Sequence, residues 1–162
     1  MLDELHWDLS HGTLYLSPRL TAAGKAEYAD LLVNAIKIGN DSTLAWSLKQ
    51  KRLLSETEPR RKPSGGYTIA KVPTNAHETL AEGEFNRFYA RGLCRLALEM
   101  GISEVVVYRA KAVLNPRRES EVLIGKRLPA AALLEDLRTH PGVEPALGLP
   151  PGPNSGISIR LP

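Results

Sequence analysis

The sequence predicts an α/β or α+β chain in which an N-terminal helical hairpin precedes a strand-helix-strand unit, with an extended arm at each end. Three observations predict this class. Stretches with apolar residues three and four apart alternate with short β-branched runs. Proline and glycine gather between them. Aromatic residues make up only 6% of the 162 residues, so the core must be built from Leu, Val, Ile and Ala, which favours helices.

Residues 1–20 read as an arm carrying one short strand, Gly12 to Ser17, stopped by Pro18. Thr21 can cap a helix from Ala22 to about Ile38, with Tyr28, Leu31, Leu32, Ala35, Ile36 and Ile38 on its apolar side. Gly39-Asn40-Asp41 stops that helix and caps a second one, about Thr43 to Leu54, whose apolar side is Leu44, Trp46, Leu48, Leu53 and Leu54. So short a link predicts a helical hairpin. A basic Pro/Gly linker, 55–66, follows: Pro59 and Pro63 forbid a continuous helix and Gly65-Gly66 allows a turn. Tyr67 to Val72 alternates as a strand does, and Pro73 ends it.

The third helix has the clearest pattern. Asn75 caps it with Glu78 three positions on, and Gly101 stops it after Met100. Phe85, Tyr89, Gly92, Leu93, Leu96 and Met100 predict its buried stripe. Glu104 to Val113 reads as a strand buried on both faces, so that strand, helix and strand would form a right-handed βαβ crossover. A last helix has Pro129 in its first turn and Ala131, Leu133, Leu134 and Leu137 facing inward. The core domain then spans 21–142, and the Pro-rich residues 143–162 form an arm, either disordered or laid on another surface.

One cysteine, Cys94, excludes an internal disulfide and a cysteine-based zinc cluster, and points to a reducing, cytoplasmic place of synthesis. No window approaches the roughly 18 apolar residues of a membrane span, and the acidic N-terminus is not a secretory signal, so no membrane partner is expected. The net charge is only +3, yet Lys49 to Lys71 holds seven basic residues against two acidic ones, +5, leaving −2 for the rest. A second basic group, Arg109, Lys111, Arg117, Arg118, Lys126 and Arg127 against Glu119 and Glu121, carries +4. Such runs can attract phosphate or an acidic protein surface, or simply be solvated.

Catalytic patterns are missing. The four histidines show no metal-ligand spacing, Cys94 sits beside an apolar helix face, and the carboxylate pairs Glu82/Glu84 and Glu119/Glu121 are two apart and so diverge on a helix. No enzyme activity, cofactor or metal is expected. Arginine placement is more informative: Arg87, Arg91 and Arg95 stand four apart, a row that can face phosphate or carboxylate. Glu84 can pair with Arg87 and Glu99 with Arg95 within the helix, whereas Arg91 has no acid at helical spacing. The candidate contact residues for a polyanion or a protein partner are Arg60, Arg61, Lys62, Arg87, Arg91, Arg95, Arg117 and Arg118.

The stretch "TNAHETLAEGEFNRFYARGLCRLALEMGISEVVVYRAKAVLNPRRESEVLIGK", with "RRKPSGGYTIAKVP" and "PGVEPALGLPPGPNSG", resembles a family of small phage and prophage proteins associated with head and virion-assembly genes. The resemblance covers about the C-terminal two-thirds of the chain and implies a structural virion component. No functional residue comes with it. The expected function is therefore a non-enzymatic structural or assembly protein that binds protein partners, or its own copies as an oligomer, through arms and basic surfaces. The alternative is a module that binds a nucleic-acid backbone through the basic linker and the arginine row.

Overall fold

The computed structural model describes residues 1–112, 118–140 and 156–162. It is an α+β fold with two small antiparallel sheets, and the chain divides into two compact units, Leu16–Ala81 and Met1–Tyr15 with Glu82–Pro162. No helix among the described residues is long and apolar enough to cross a membrane.

In the unit Leu16–Ala81 the predicted helical hairpin is present. Following α1 (Leu2–His11) in the chain, its two members are α2 (Ala22–Ile38) and α3 (Asp41–Gln50). Thr21 Oγ1 accepts from the Gly24 backbone N–H at 3.0 Å, and Asn40 and Thr43 cap α3 reciprocally. Tyr28, Leu32 and Ala35 of α2 meet Leu44, Ala45 and Leu48 of α3 in a buried layer closed by Leu20 and Leu53. Trp46, expected inside, is 64% exposed, because it lies off the line shared by Leu44 and Leu48.

The linker is not a link. Thr57–Arg61 is a strand, β1, that pairs antiparallel with β2 (Tyr67–Lys71), Arg61 opposite Tyr67 and Pro59 opposite Ile69. Gly65 and Gly66 take φ of 89° and 76° in the connecting loop, a region open to glycine. This pairing overturns the βαβ crossover: β2 is solvated on most of its length, and a parallel sheet needs cover on both faces. Its nearest partner across five residues wins.

In the other unit the N-terminal arm is a helix, α1 (Leu2–His11), and no strand forms at Gly12–Ser17. Asp3 and Glu4 favour its first turn and Gly12, at φ 66°, closes it by donating its N–H to Asp8 O. It was illegible as a helix because its buried residues are Glu4, Leu5 and Asp8, two acids and one leucine. The long helix α4 (Ala76–Glu99) belongs to this unit from Glu82 onward. β3 (Glu104–Arg109) is flanked by β4 (Arg127–Pro129) and β5 (Ile157–Arg160), all antiparallel, with α5 (Arg118–Glu121) and α6 (Ala130–Thr139) between them in the chain. Val105 and Val107, Leu133 and Leu137, Ile157 and Ile159, and Ala90, Cys94 and Ala97 of α4 form its core. Ala131, expected inward on α6, is exposed, and Ala130 takes the buried place.

The end of the chain is thus no free arm. β5 pairs with β3 from Val106↔Arg160 to Arg109↔Ile157, and Ile157 and Ile159 are buried. Alternation of Ile with Ser and Arg over four residues is a strand pattern too short to stand out beside so many prolines. Residues 143–155 of the expected arm lie outside the described residues.

Candidate functional site

The helix α4 is turned relative to the sequence expectation. Its inward stripe is Glu84, Arg87, Phe88, Arg91, Cys94 and Ala97, all buried. Of the stripe expected to be inside, Tyr89 is 38% exposed, Leu96 46% and Met100, just past the helix, 58%, while Phe85 and Gly92 are half-buried and Leu93 packs against the core. What turned the helix is a set of ion pairs to α1 that apolar periodicity cannot register.

Arg91 is fully buried. Its Nη1 donates to Asp8 Oδ2 at 2.8 Å, its Nε to Glu4 Oε2 at 3.0 Å, and its Nη2 to the Glu4 backbone carbonyl at 3.2 Å. Arg87 Nη2 reaches Asp8 Oδ2 at 3.0 Å, and Arg138 grips Glu4 with two bonds, 2.7 and 3.0 Å. The Trp7 ring lies 5.6 Å from the guanidinium carbon of Arg91 and 4.7 Å from that of Arg138, and Phe88 lies 5.2 Å from that of Arg91. Burial would raise the Glu4 carboxyl, but the hydrogen bonds of Arg138 and the charge of Arg91 outweigh it and hold the group below its ordinary value.

Glu84 completes the cluster differently. Its Oε2 stands 3.2 Å from Arg87 Nη2 without making a hydrogen bond. Burial pushes its carboxyl up to about 7; Arg87 opposes this, and the like charge of Asp8 adds to it. Arg87 Nε and Nη1 are also buried without a hydrogen-bond partner. Removing one member of such a cluster leaves an unpaired buried charge and costs about 3–5 kcal/mol. The arrangement has the chemistry of a lock between helices.

The eight predicted contact residues separate accordingly. Arg87 and Arg91 are spent on internal acids, which corrects their assignment to an outward polyanion face. Arg95 is partly exposed and pairs with Asp3 at 3.4 Å and Glu99 at 3.3 Å. It lines an open depression of about 200 Å³ with Met1, Asp3, Glu4, Gly92, Leu96 and Glu99, where three carboxylates surround its one guanidinium. Arg118 is exposed at the start of α5, and Arg117 lies outside the described residues. Arg60, Arg61 and Lys62 are exposed on β1 and its loop, where Arg60 Nη2 lies 3.3 Å from Glu58 Oε1. Arg19 holds that carboxylate with two bonds, 2.6 and 3.1 Å, and keeps it below its ordinary pKa.

Burial, reinforced by the negative charge of Glu4, pushes the Cys94 thiol up to about 12, so it carries no nucleophile near neutrality. Among the described residues no cluster of three His, Cys, Asp or Glu could hold a metal ion. The sequence search missed Glu4, Asp8 and Arg138, the partners of the arginine row. The one signal was Arg91, an arginine on a long amphipathic helix with no acid at helical spacing. Compared with protein-family models, curated proteins and solved structures, the chain matches none.

Proposed function

We propose that this chain is a non-enzymatic assembly subunit that associates with further copies of itself through the outer face of α4. The observation that supports this reading is the turned helix. Phe85, Tyr89, Leu96 and Met100 recur at intervals of four, seven and four, the spacing of a helix-packing seam; Phe85 is half-buried and the other three are exposed, because the opposite side is taken by the ion pairs. Leaving such a seam in water forfeits burial of roughly 25 cal/mol per Å² of apolar surface. A second copy is the natural occupant, since each copy presents the same seam and a two-fold contact sets the Phe85 end of one against the Met100 end of the other. The resemblance to phage head and virion-assembly proteins supports the same reading, and a virion component repeats one subunit many times.

The solution mass tests it. Sedimentation velocity on the wild-type chain is expected to give a dimer or larger species, and the double variant Leu96→Asp, Met100→Asp a folded monomer, since both residues are exposed. A monomeric wild type, or a variant that associates as before with unchanged circular dichroism, overturns the assignment.

A further inference from the structure

The β1–β2 hairpin is a second feature that the α4 face does not explain. Because side chains alternate along each strand, the cross-strand pairs Thr57↔Lys71, Pro59↔Ile69 and Arg61↔Tyr67 share one face of the ribbon. All six of those residues are exposed, with Tyr67 at 72% and Ile69 at 71%. The other face is partly covered at Glu58 and Ala70, and its acid is held by Arg19. Residues 57–71 carry four basic side chains against one acidic, a net +3. Among the described residues Arg61, Lys62 and Lys71 have no acidic partner, in contrast to every arginine of the α4 row.

We infer that the exposed face of this hairpin is a contact for the phosphate backbone of double-stranded nucleic acid. The charge is complementary and unspent. A two-stranded ribbon is one of the two element types that the major groove of a duplex admits, its width being about 12 Å. Within it, Arg61, Lys62 and Lys71 meet phosphates from the strands and the tip, and Tyr67 and Ile69 cover sugar edges between them. One exposed tyrosine is too few for the stacking platform that single strands require. This inference does not rest on the α4 reading, and the two fail separately: oligomeric mass reports the α4 face, salt dependence the hairpin.

Fluorescence anisotropy with a labelled mixed-sequence duplex, and with the single strand of the same length, tests it across a salt series. Three phosphate contacts predict a log–log salt slope of about −3 for the full chain. Arg61→Ala, Lys62→Ala and Lys71→Ala are each expected to reduce that slope by about one, and Tyr67→Ala to weaken binding without changing it. Lys37→Ala, on α2 and outside the hairpin, is the control expected to leave the slope unchanged. All of these side chains are exposed, so the variants stay folded. Absence of duplex binding at low salt, tighter binding of the single strand, or a slope indifferent to the three hairpin substitutions overturns the inference. The first of those results assigns the basic face to an acidic protein surface instead.

Discussion

At the scale of single residues, the buried cluster makes stability depend on pH in two opposite ways. Glu84 holds its proton up to about 7 in the folded chain, whereas an unfolded chain loses it near 4.5. Between those values the folded form binds more protons, so stability falls as pH rises and levels off beyond about 7. Glu4, held below its ordinary value, acts in the reverse sense: its contribution is present above 4.5 and is lost as pH falls through its folded-state pKa. Urea unfolding measured from pH 3 to 8 should therefore show wild-type stability declining between about 4.5 and 7, at no more than about 1.4 kcal/mol per pH unit, and a separate loss below 4.5. Glu84→Gln should flatten this decline and keep the loss at acid pH. An equal decline in both proteins would sink the role given to Glu84. Nothing in the sequence marks Glu84 as special, because its burial comes from the helix it faces and not from its neighbours in the chain.

At the scale of elements, two glycines of α4 are predicted to respond in opposite directions to the same substitution. Alanine in a helix interior is favoured over glycine by about 1 kcal/mol. At Gly83 an added Cβ meets nothing within 4 Å, so Gly83→Ala should raise the unfolding midpoint. At Gly92 the Cβ would collide with the backbone nitrogen of Met1, and Gly92→Ala should lower stability by about 1–3 kcal/mol through displacement of α1. Thermal unfolding of the two variants measures both signs; two increases would show that α1 does not pack as described. The location and length of α2 and α4, and the place of α3 and α6, were legible because caps, stops and periodicity agree there, although α3 ends at Gln50 and not near Leu54. The rotation of α4 about its axis was not. Periodicity finds the apolar side of a helix, but a partner carrying Glu4 and Asp8 selects the side with arginines. Likewise β2 was legible and its partner was not, since strand pattern is local and pairing is chosen among strands.

At the scale of the whole chain, the last residues matter more than their composition suggests. Reading 143–162 as an arm predicts that its removal leaves the core folded. With Ile157 and Ile159 buried against β3, the opposite is expected. Burying two isoleucines contributes about 3–6 kcal/mol, set against about 5–15 kcal/mol for an entire domain. A chain ending at Gly156 should therefore lose the cooperative unfolding of its unit, seen as a collapsed or broadened urea transition. A sharp transition at the wild-type midpoint would return β5 to the status of an arm.

What the sequence by itself determined is a chain mixing helices and strands, the helical hairpin with its caps, the extent of the long helix, the strand after it and the basic stretch at residues 60–62. Each rests on interactions within a few residues: capping bonds, positive φ at glycine, apolar spacing, local charge. The tertiary structure alone decided that the class is α+β and not α/β, that α1 is a helix, that Arg87 and Arg91 are spent on Glu4 and Asp8, that β2 belongs with β1, and that the chain end completes a sheet. Those outcomes depend on which distant groups meet. Acids more than 70 positions away, invisible to any local pattern, neutralise the arginine row, and that neutralisation is what sends the apolar seam of α4 outward.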